Sequence, residues 1–370
     1  MKCRPLPTLF FRCLFATAVG CFFNSNVIAE PVKQLNILNW SDFIAPDTVA
    51  KFEKETGIHV KYDLLDSDET LQAKLLSGNS NYDIVYPPAH YMAKQIDANV
   101  YLPLDLSKIP NKANLNPNVV SRLGQLSNLR YGIPYVFGTF GMIINKTKVQ
   151  NVLGKDADLD SWTLLFKPEI ASKLKACGIL IADAPIDVFP VVLAYMGRDP
   201  NSKKASDYED AAKELKKIRP YIAQFNSSYL NDVAGGDVCV AAGWSGDARQ
   251  IAKRVSESKQ KFDIYYSAPK SQSGNWYTMM GIPNDAPNKE NAYKWINFLL
   301  RPDIAADITN HLAFASAVDI NPKLLKPEVV ADKSVFPDEF ISKTYFIYEP
   351  RSIEITRLMN KLWTQFKANR

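Results

Sequence analysis

Short apolar segments alternate with an amphipathic helical pattern along the first quarter of the chain. Residues 35–38, 58–62 and 82–86 are short and rich in Leu, Ile, Val and Tyr, as expected of strands. Between the first two, a helical pattern begins at Pro46 and ends at Gly57. This alternation predicts an α/β protein with mainly parallel sheets flanked by helices, and with ligand-binding loops at the ends of the strands.

The same kinds of pattern continue to the C-terminus. Residues 141–145 predict a strand that leaves the first group of strands, and the chain crosses back near residues 264–268. Residues 179–182 and 238–242 are short, apolar and β-branched, which predicts buried parallel strands. Helical patterns cover residues 188–196, 207–217, 286–300 and 354–366.

The first 29 residues have the pattern of a secretory signal peptide. Lys2, Arg4 and Arg12 provide a basic start, before an apolar stretch at residues 13–23 that is too short to span a bilayer. Residues 27–29 form a small-residue cleavage site. Cleavage there predicts a periplasmic protein of 341 residues, which is long enough for two lobes.

The cysteines divide between the leader and the mature chain. Cys21 offers an alternative lipoprotein cleavage site, which would tether the protein to a membrane. Cleavage after residue 29 leaves two cysteines, Cys177 and Cys239. An even number of cysteines in an oxidising compartment favours a disulfide over two buried thiols.

The net charge excludes nucleic acid as a partner. Loss of the three basic residues of the leader lowers the formal net charge from +5 to +2. A nearly balanced surface lacks the basic stripe that a phosphate backbone requires. Any selectivity for a charged ligand must therefore come from local groups.

Two segments each place a tryptophan close to an aspartate. Trp40 and Asp42 follow the first predicted strand, and Trp244 and Asp247 follow the strand at residues 238–242. An indole face attracts an organic cation, and a carboxylate accepts charge-assisted hydrogen bonds from an ammonium group. The pairs predict two walls of one cleft, although a surface indole beside a helix cap explains the Trp40 pair equally well.

No catalytic or metal-binding motif can be assembled from the sequence. The three histidines are far apart and lack metal-ligand spacing. Residues 243–247 resemble a nucleophile elbow but have Asp247 where that motif requires glycine. Tyr265 and Tyr266 favour a half-buried strand over a phenolate iron site. We therefore predict a protein that is not an enzyme and that uses no cofactor and no metal.

Longer segments carry a family resemblance. Residues 39–49 (NWSDFIAPDTV) and 243–247 (GWSGD) resemble segments of the periplasmic polyamine-binding proteins, and most closely those of the putrescine receptor of a bacterial ABC importer. Further matching segments follow in the same order along nearly the whole mature chain: residues 175–178, 183–185, 197–202, 236–241 and 299–303.

The resemblance implies the two-lobed periplasmic solute-binding fold of type II, with a cleft between the lobes. It places lobe 1 at residues 30–138 plus 268–315 and lobe 2 at residues 139–267 plus 316–370. It implies that the two cysteines of the mature chain are bonded to each other. It also implies a small cationic amine and the ABC permease subunits of the inner membrane as partners, and we expect a monomer.

In this family the methylene chain of the ligand lies between aromatic rings, and its ammonium ends meet carboxylates. By position, the resemblance implies that Trp40, Trp244 and Trp276 are the rings. Asp187 and Asp247 are the corresponding carboxylates. The other predicted ligand-binding residues are Ser41, Asp42, Phe43, Thr278, Phe314 and Glu349.

Several family site positions have lost polar groups. Thr278 stands where relatives carry an amine-binding aspartate, and Phe43 and Phe314 stand where they carry tyrosines. Pro88 aligns with a serine, and Glu349 stands where the putrescine receptor has a lysine. We therefore expect one firmly bound ammonium end, with the other end held weakly by Glu349 or chemically different.

Together these features predict an exported binding protein that captures putrescine, spermidine or a related amine for uptake by an ABC transporter. A different amino or guanidino compound fits the altered site as well. A ligand sensor with the same fold is the alternative class of function. A periplasmic hydrolase is disfavoured, because no nucleophile, base and orienting group can be identified together.

Overall fold

Strands and helices alternate along the chain, as the sequence predicts. The computed structural model describes residue 1 and residues 33–65, 68–124, 128–336 and 344–369, and the predicted signal peptide with Cys21 lies outside them. The strands are β1 (Gln34–Trp40), β2 (His59–Leu65), β3 (Ile84–Val85), β4 (Gly132–Asn145), β5 (Ile179–Ile181), β6 (Gln224–Phe225), β7 (Val240–Trp244), β8 (Ile264–Ser267), β9 (Gly274–Gly281), β10 (Ala315–Ser316) and β11 (Phe346–Ile347). The helices are α1 (Thr48–Thr56), α2 (Asp68–Leu76), α3 (Ala89–Asp97), α4 (Pro117–Leu123), α5 (Lys146–Leu153), α6 (Thr163–Phe166), α7 (Pro168–Leu174), α8 (Pro185–Tyr195), α9 (Ala205–Ile218), α10 (Leu230–Gly235), α11 (Ser245–Glu257), α12 (Lys289–Leu299), α13 (Pro302–Leu312), α14 (Pro327–Val330) and α15 (Ile353–Lys367).

The first group of strands contains both parallel and antiparallel pairs. β1 pairs in parallel with β2 from Gln34 to Trp40, and also with β3. β9 joins this group antiparallel to β3 and β4. The expected parallel strands are therefore present, but the sheet is mixed. Apolar composition does not reveal strand direction, because a strand buried on both faces has the same pattern in either orientation.

A single long strand continues from the first group of strands into the second. The first part of β4 pairs with β9 from Gly132 to Thr139, and its last part pairs with β7 and β8 between Phe140 and Asn145. Every residue of β4 is buried. The predicted strand at residues 141–145 is thus the last five residues of a 14-residue strand.

The second group of strands confirms the two predicted buried parallel strands. β5 pairs in parallel with β7 and with β6, and the other edge of β7 pairs antiparallel with β4. Because β7 is central, its last residue, Trp244, lies at the end of a buried strand next to Phe140 of β4. Trp244 is the tryptophan of one of the two predicted tryptophan and aspartate pairs.

The predicted helices are present with small changes at their ends. α1 ends, as expected, at Gly57, whose φ of +65° favours glycine. It begins at Thr48 and not at Pro46, with Asp47 as the residue before the first turn. Among the described residues, no helix is both long and apolar enough to cross a membrane.

The two cysteines of the mature chain are bonded to each other. Cys177 precedes β5 and Cys239 directly precedes β7, with 5.5 Å between their Cα atoms. The bond therefore ties together the starts of two neighbouring parallel strands. It confirms the predicted disulfide.

Candidate functional site

Trp40 lies at the end of β1 and is held by two hydrogen bonds. Its indole Nε1 donates to the carbonyl oxygen of Tyr86 at 2.9 Å, and its backbone N–H donates to Oδ1 of Asn39 at 2.8 Å. The side chain is only partly buried. Ser41 and Asp42 follow in an exposed turn, in which Asp42 has a φ of +52°. The indole is fixed in place while part of its surface remains accessible.

Trp244 and Asp247 are connected through one hydroxyl group. Trp244 ends β7 and Asp247 lies in the first turn of α11. The backbone N–H of Trp244 donates to the hydroxyl oxygen of Tyr229 at 3.1 Å, and that hydroxyl donates to Oδ2 of Asp247 at 2.6 Å. The second predicted pair is therefore a connected unit.

The carboxylate of Asp247 is partly buried and incompletely neutralised. Burial raises the pKa of Asp247 to about 6, while the Tyr229 hydrogen bond and the charge of Arg254 act to lower it. The negative charge of Asp42 raises the pKa further. A carboxylate from each of the two predicted pairs thus contributes to one local negative field. A bound cation would stabilise the ionised form of Asp247.

Asp187 provides a second buried carboxylate beside the same tryptophan. It lies in the first turn of α8 and only 6% of its surface is exposed. Burial raises the pKa of Asp187 to about 7, while the charge of Arg351 and a hydrogen bond from the Trp244 side chain act to lower it. Trp244 therefore influences the charge state of Asp187, and its backbone is linked to Asp247 through Tyr229.

Three predicted aromatic residues pack together next to this unit. The ring centroids of Trp276 and Phe314 are 5.0 Å apart, and that of Phe43 lies 5.4 Å from Phe314 and 6.4 Å from Trp276. The indole Nε1 of Trp276 is buried without a hydrogen-bond partner among the described residues. The rings form an apolar wall that brings residues of β9 and of two loops together.

Phe314 connects this wall to the helix that carries Asp247. A Cβ atom added to Gly246 would lie 2.2 Å from Cε1 of Phe314. The ring therefore lies directly against the backbone at residue 246, one position before Asp247. Only glycine permits this approach without a shift of the ring or of the helix.

Two of the altered family positions add no charge beside Trp244, Asp187 and Asp247. Thr278 lies on β9, is 4% exposed and stands opposite Val136 and Pro88. The side chain of Glu349 is exposed, and its backbone N–H donates to Oδ1 of Asn201 at 3.1 Å. The Glu349 carboxylate forms no hydrogen bond or ion pair with another described residue. Among the described residues, no hydrogen bond or ion pair therefore joins the Glu349 carboxylate to the other predicted residues.

Tyr229 and Arg351 belong to the site, although the sequence did not single them out. Tyr229 lies 15 residues before Trp244 and is completely buried. Arg351 is 7% exposed, and its guanidinium donates to Tyr208 Oη at 3.1 Å and to the Pro200 carbonyl at 3.2 Å. No local motif marks either residue, because their contacts join segments far apart in the sequence.

A cavity of about 630 Å³ lies beside Thr139 of β4. Its wall includes Asp160, which accepts hydrogen bonds from Tyr265 Oη at 2.8 Å and from Ser267 Oγ at 2.9 Å. No predicted ligand-binding residue lines it. Within the described ranges, no group of three or more His, Cys, Asp or Glu side chains is placed to hold a metal ion.

Known proteins with similar sequences and structures share one function class. A family model of the bacterial extracellular solute-binding proteins matches residues 47–336. The putrescine-binding periplasmic protein PotF of Escherichia coli (strain K12) is 41% identical over 360 residues, which covers 96% of each chain. The putrescine-binding periplasmic protein SpuD of Pseudomonas aeruginosa (strain UCBPP-PA14) is 41% identical over 341 residues, which covers 91% of this chain and 93% of SpuD.

A solved structure agrees with these similarities. The spermidine/putrescine ABC transporter substrate-binding protein PotD of Streptococcus pneumoniae has a TM-score of 0.75 and 28% sequence identity, and the match covers 91% of this chain and 99% of PotD. The predicted solute-binding fold is thereby confirmed. The chain belongs to the bacterial extracellular solute-binding proteins.

Proposed function

We propose that this protein captures putrescine or a closely related short amine in the periplasm and delivers it to ABC permease subunits of the inner membrane. The periplasmic relatives PotF and SpuD, which their names describe as putrescine-binding, support this proposal over most of the chain. The site supports it independently, because it combines accessible indole surface with one buried and one partly buried carboxylate.

One observation carries the proposal: Trp244 is linked to two carboxylates, the buried Asp187 and the partly buried Asp247. The Trp244 side chain lowers the pKa of Asp187, and Asp247 is linked to the Trp244 backbone through Tyr229. Asp247 forms no ion pair with any described residue. An amine whose methylenes lie on the indole would bring its ammonium groups toward these carboxylates. Each charge-assisted hydrogen bond contributes about 1.5–3 kcal/mol, and a desolvated cation on an indole face about 2 kcal/mol.

The ligand would bind between two lobes, with bounds at residues 30–138 plus 268–315 and 139–267 plus 316–370. The passage of β4 from one group of strands to the other supports this division. Trp40 and Trp276 would belong to the first lobe, and Trp244 and Asp247 to the second. A ligand that contacts both lobes favours the closed population, which is the form to be presented to a permease.

We also propose that the protein is a monomer and has no catalytic activity. A binding role needs only the groups already described, namely rings, carboxylates and a positioning hydroxyl. No step of bond making or breaking is required for capture and delivery. The ligand would leave chemically unchanged.

Titration calorimetry tests the proposed function. The mature protein is unfolded with its disulfide intact, freed of bound amines, refolded, and titrated with putrescine, cadaverine, spermidine and agmatine. We expect saturable one-to-one binding of at least one of these amines. The neutral isostere 1,4-butanediol is the control and should not bind, because it offers no charge to the carboxylates. Absence of binding by all four amines would overturn the proposal.

A ligand with unlike ends is the second candidate, and two positions favour it. Thr278 is buried within the sheet without a charge, and the Glu349 carboxylate is exposed and unpaired among the described residues. The proposed site therefore offers fewer carboxylates than a symmetric diamine site with an aspartate at position 278. Tighter binding of agmatine than of putrescine in the same titrations would favour a guanidino ligand. The reverse order would favour the diamine.

A further inference from the structure

We propose that Tyr229 is a positioning residue, which orients Trp244 and Asp247 for cation binding and thereby sets the amine affinity of the site. This inference rests on the proposed function and assigns a role to a residue outside the predicted ligand-binding set. Tyr229 is fully buried, so it acts through its two neighbours and not by touching the amine.

The hydroxyl of Tyr229 accepts one hydrogen bond and donates another within the site. Its oxygen accepts the backbone N–H of Trp244 at 3.1 Å, and its proton is donated to Oδ2 of Asp247 at 2.6 Å. No hydrogen bond to Oδ1 of Asp247 is found among the described residues. The hydroxyl therefore fixes one carboxylate oxygen and leaves the other for an ammonium group.

The ring of Tyr229 supports the indole as well. The ring planes of Tyr229 and Trp244 are inclined by only 15°, with 6.3 Å between their centroids. The ring of Phe140 contacts the indole edge-on at 78°, with a centroid distance of 5.8 Å. Two buried rings therefore restrict the indole of Trp244 before any ligand arrives, which reduces the ordering cost of binding.

The chain leaves space for this hydroxyl at one position. A Cβ atom added to Gly243 would lie 1.9 Å from the hydroxyl oxygen of Tyr229. Gly243 is a residue of β7 opposite Gly141 of β4, where the backbone is fixed by strand pairing. The absence of a side chain at residue 243 is therefore a condition for the Tyr229 contacts.

The hydroxyl also influences the charge state of Asp247. Burial and the charge of Asp42 raise the pKa of Asp247, whereas the Tyr229 hydrogen bond and the charge of Arg254 lower it. Asp247 and the buried Tyr266 also influence each other, since the carboxylate raises the pKa of that phenol. Without the Tyr229 hydroxyl, Asp247 would be ionised less often near pH 6. The loss of affinity should therefore grow as the pH falls.

The variant Tyr229→Phe tests this role, with putrescine as the probe in calorimetric titrations at pH 8 and pH 6. We expect binding about 10- to 100-fold weaker than wild type at pH 8, which corresponds to one hydrogen bond to a charged group. At pH 6 the factor should be larger. Tyr101→Phe is the matched control, because Tyr101 is also fully buried and its hydroxyl donates to Oε1 of Gln95 at 2.6 Å. It should bind like wild type.

A second variant keeps the test valid if Tyr229→Phe does not fold. Gly243→Ala retains the Tyr229 hydroxyl but forces it away from Trp244 and Asp247, and it should weaken putrescine binding at least tenfold. Wild-type affinity in either folded variant, or an equal loss at pH 8 and pH 6 in Tyr229→Phe, would overturn the inference. If wild type itself binds none of the four amines, the proposed function fails instead. The two failures are thus distinguishable.

Discussion

The ring of Phe314 lies directly against the backbone of Gly246, so that a Cβ atom at residue 246 would be 2.2 Å from Cε1 of the ring. Phe314 follows α13, whereas Gly246 lies in the first turn of α11. The contact therefore joins two segments far apart in the sequence, one residue from the carboxylate of Asp247. Packing at Phe314 therefore lies next to a carboxylate of the proposed binding site.

Gly246→Ala should destabilise the protein because the added methyl group overlaps the Phe314 ring. Overpacking of this kind costs about 1–3 kcal/mol, and urea unfolding measures the decrease in the free energy of unfolding. Gly235→Ala is the matched control, since the nearest atom to its added Cβ is 3.7 Å away. Equal unfolding midpoints for the two variants would show that the Phe314 contact adjusts without cost.

Asp247→Asn should weaken amine binding about 10- to 100-fold or more, because it removes a charge-assisted hydrogen bond of about 1.5–3 kcal/mol. Asn retains an oxygen that accepts the Tyr229 hydroxyl, so the fold should be preserved. Calorimetry with the tightest-binding amine measures the change. Asp105→Asn is the control, because Asp105 is exposed and bonds to Ser107 in its own turn. Equal affinities of the two variants would contradict the assignment of Asp247.

The order of the strands and helices could be predicted because local patterns determine it. The strands predicted at residues 179–182 and 238–242 are found at residues 179–181 and 240–244, because short apolar β-branched runs are a local signal. The helices predicted at residues 207–217 and 354–366 are found at residues 205–218 and 353–367, because helical periodicity is local as well. The continuity of β4 could not be predicted in the same way. Its 14 buried residues are divided between two groups of partners, and pairing partners are not a local property.

Within the site too, the residues in a local motif could be predicted and those brought in from distant segments could not. Trp244 and Asp247 could be identified because they lie in one short motif at the end of a buried strand. Tyr229 could not, because its hydroxyl reaches both residues from another loop through the space left by Gly243. Glu349 was expected near the second ligand end, but its side chain is exposed. Its assignment stays a prediction from the resemblance alone.

Loss of the disulfide should lower stability without changing the fold. The bond between Cys177 and Cys239 closes a loop with a sequence separation of 62 residues. Because a cross-link restricts the unfolded chain, replacing both cysteines by serine should decrease the free energy of unfolding by about 2–4 kcal/mol. Urea unfolding of the double variant measures this. A reducing agent should lower the stability of wild type to a similar level and leave the double variant unchanged, and equal stability of all forms would contradict the prediction.

Amine affinity should fall as the pH decreases through the range in which Asp187 and Asp247 take up protons. Burial raises the pKa of Asp187 to about 7 and that of Asp247 to about 6 in the unliganded protein. An ammonium group binds the ionised carboxylates, so both protons must leave before binding. Amine affinity is therefore highest well above pH 7 and decreases progressively as the pH falls through 7 and 6. If both carboxylates are required, the affinity at pH 5.5 should be about 100-fold weaker than at pH 8.5.

The variant Asp187→Asn separates the two carboxylates in this pH dependence. It removes the carboxylate that takes up a proton at the higher pH. The amine affinity of the variant should therefore decrease only about fourfold between pH 8.5 and pH 5.5, because only Asp247 still becomes protonated. Calorimetry in buffers of different ionisation enthalpy measures the protons released on binding at each pH. Proton release by wild type near pH 6.5 should exceed that of Asp187→Asn. Affinity independent of pH in both proteins would show that neither carboxylate is protonated before the amine arrives.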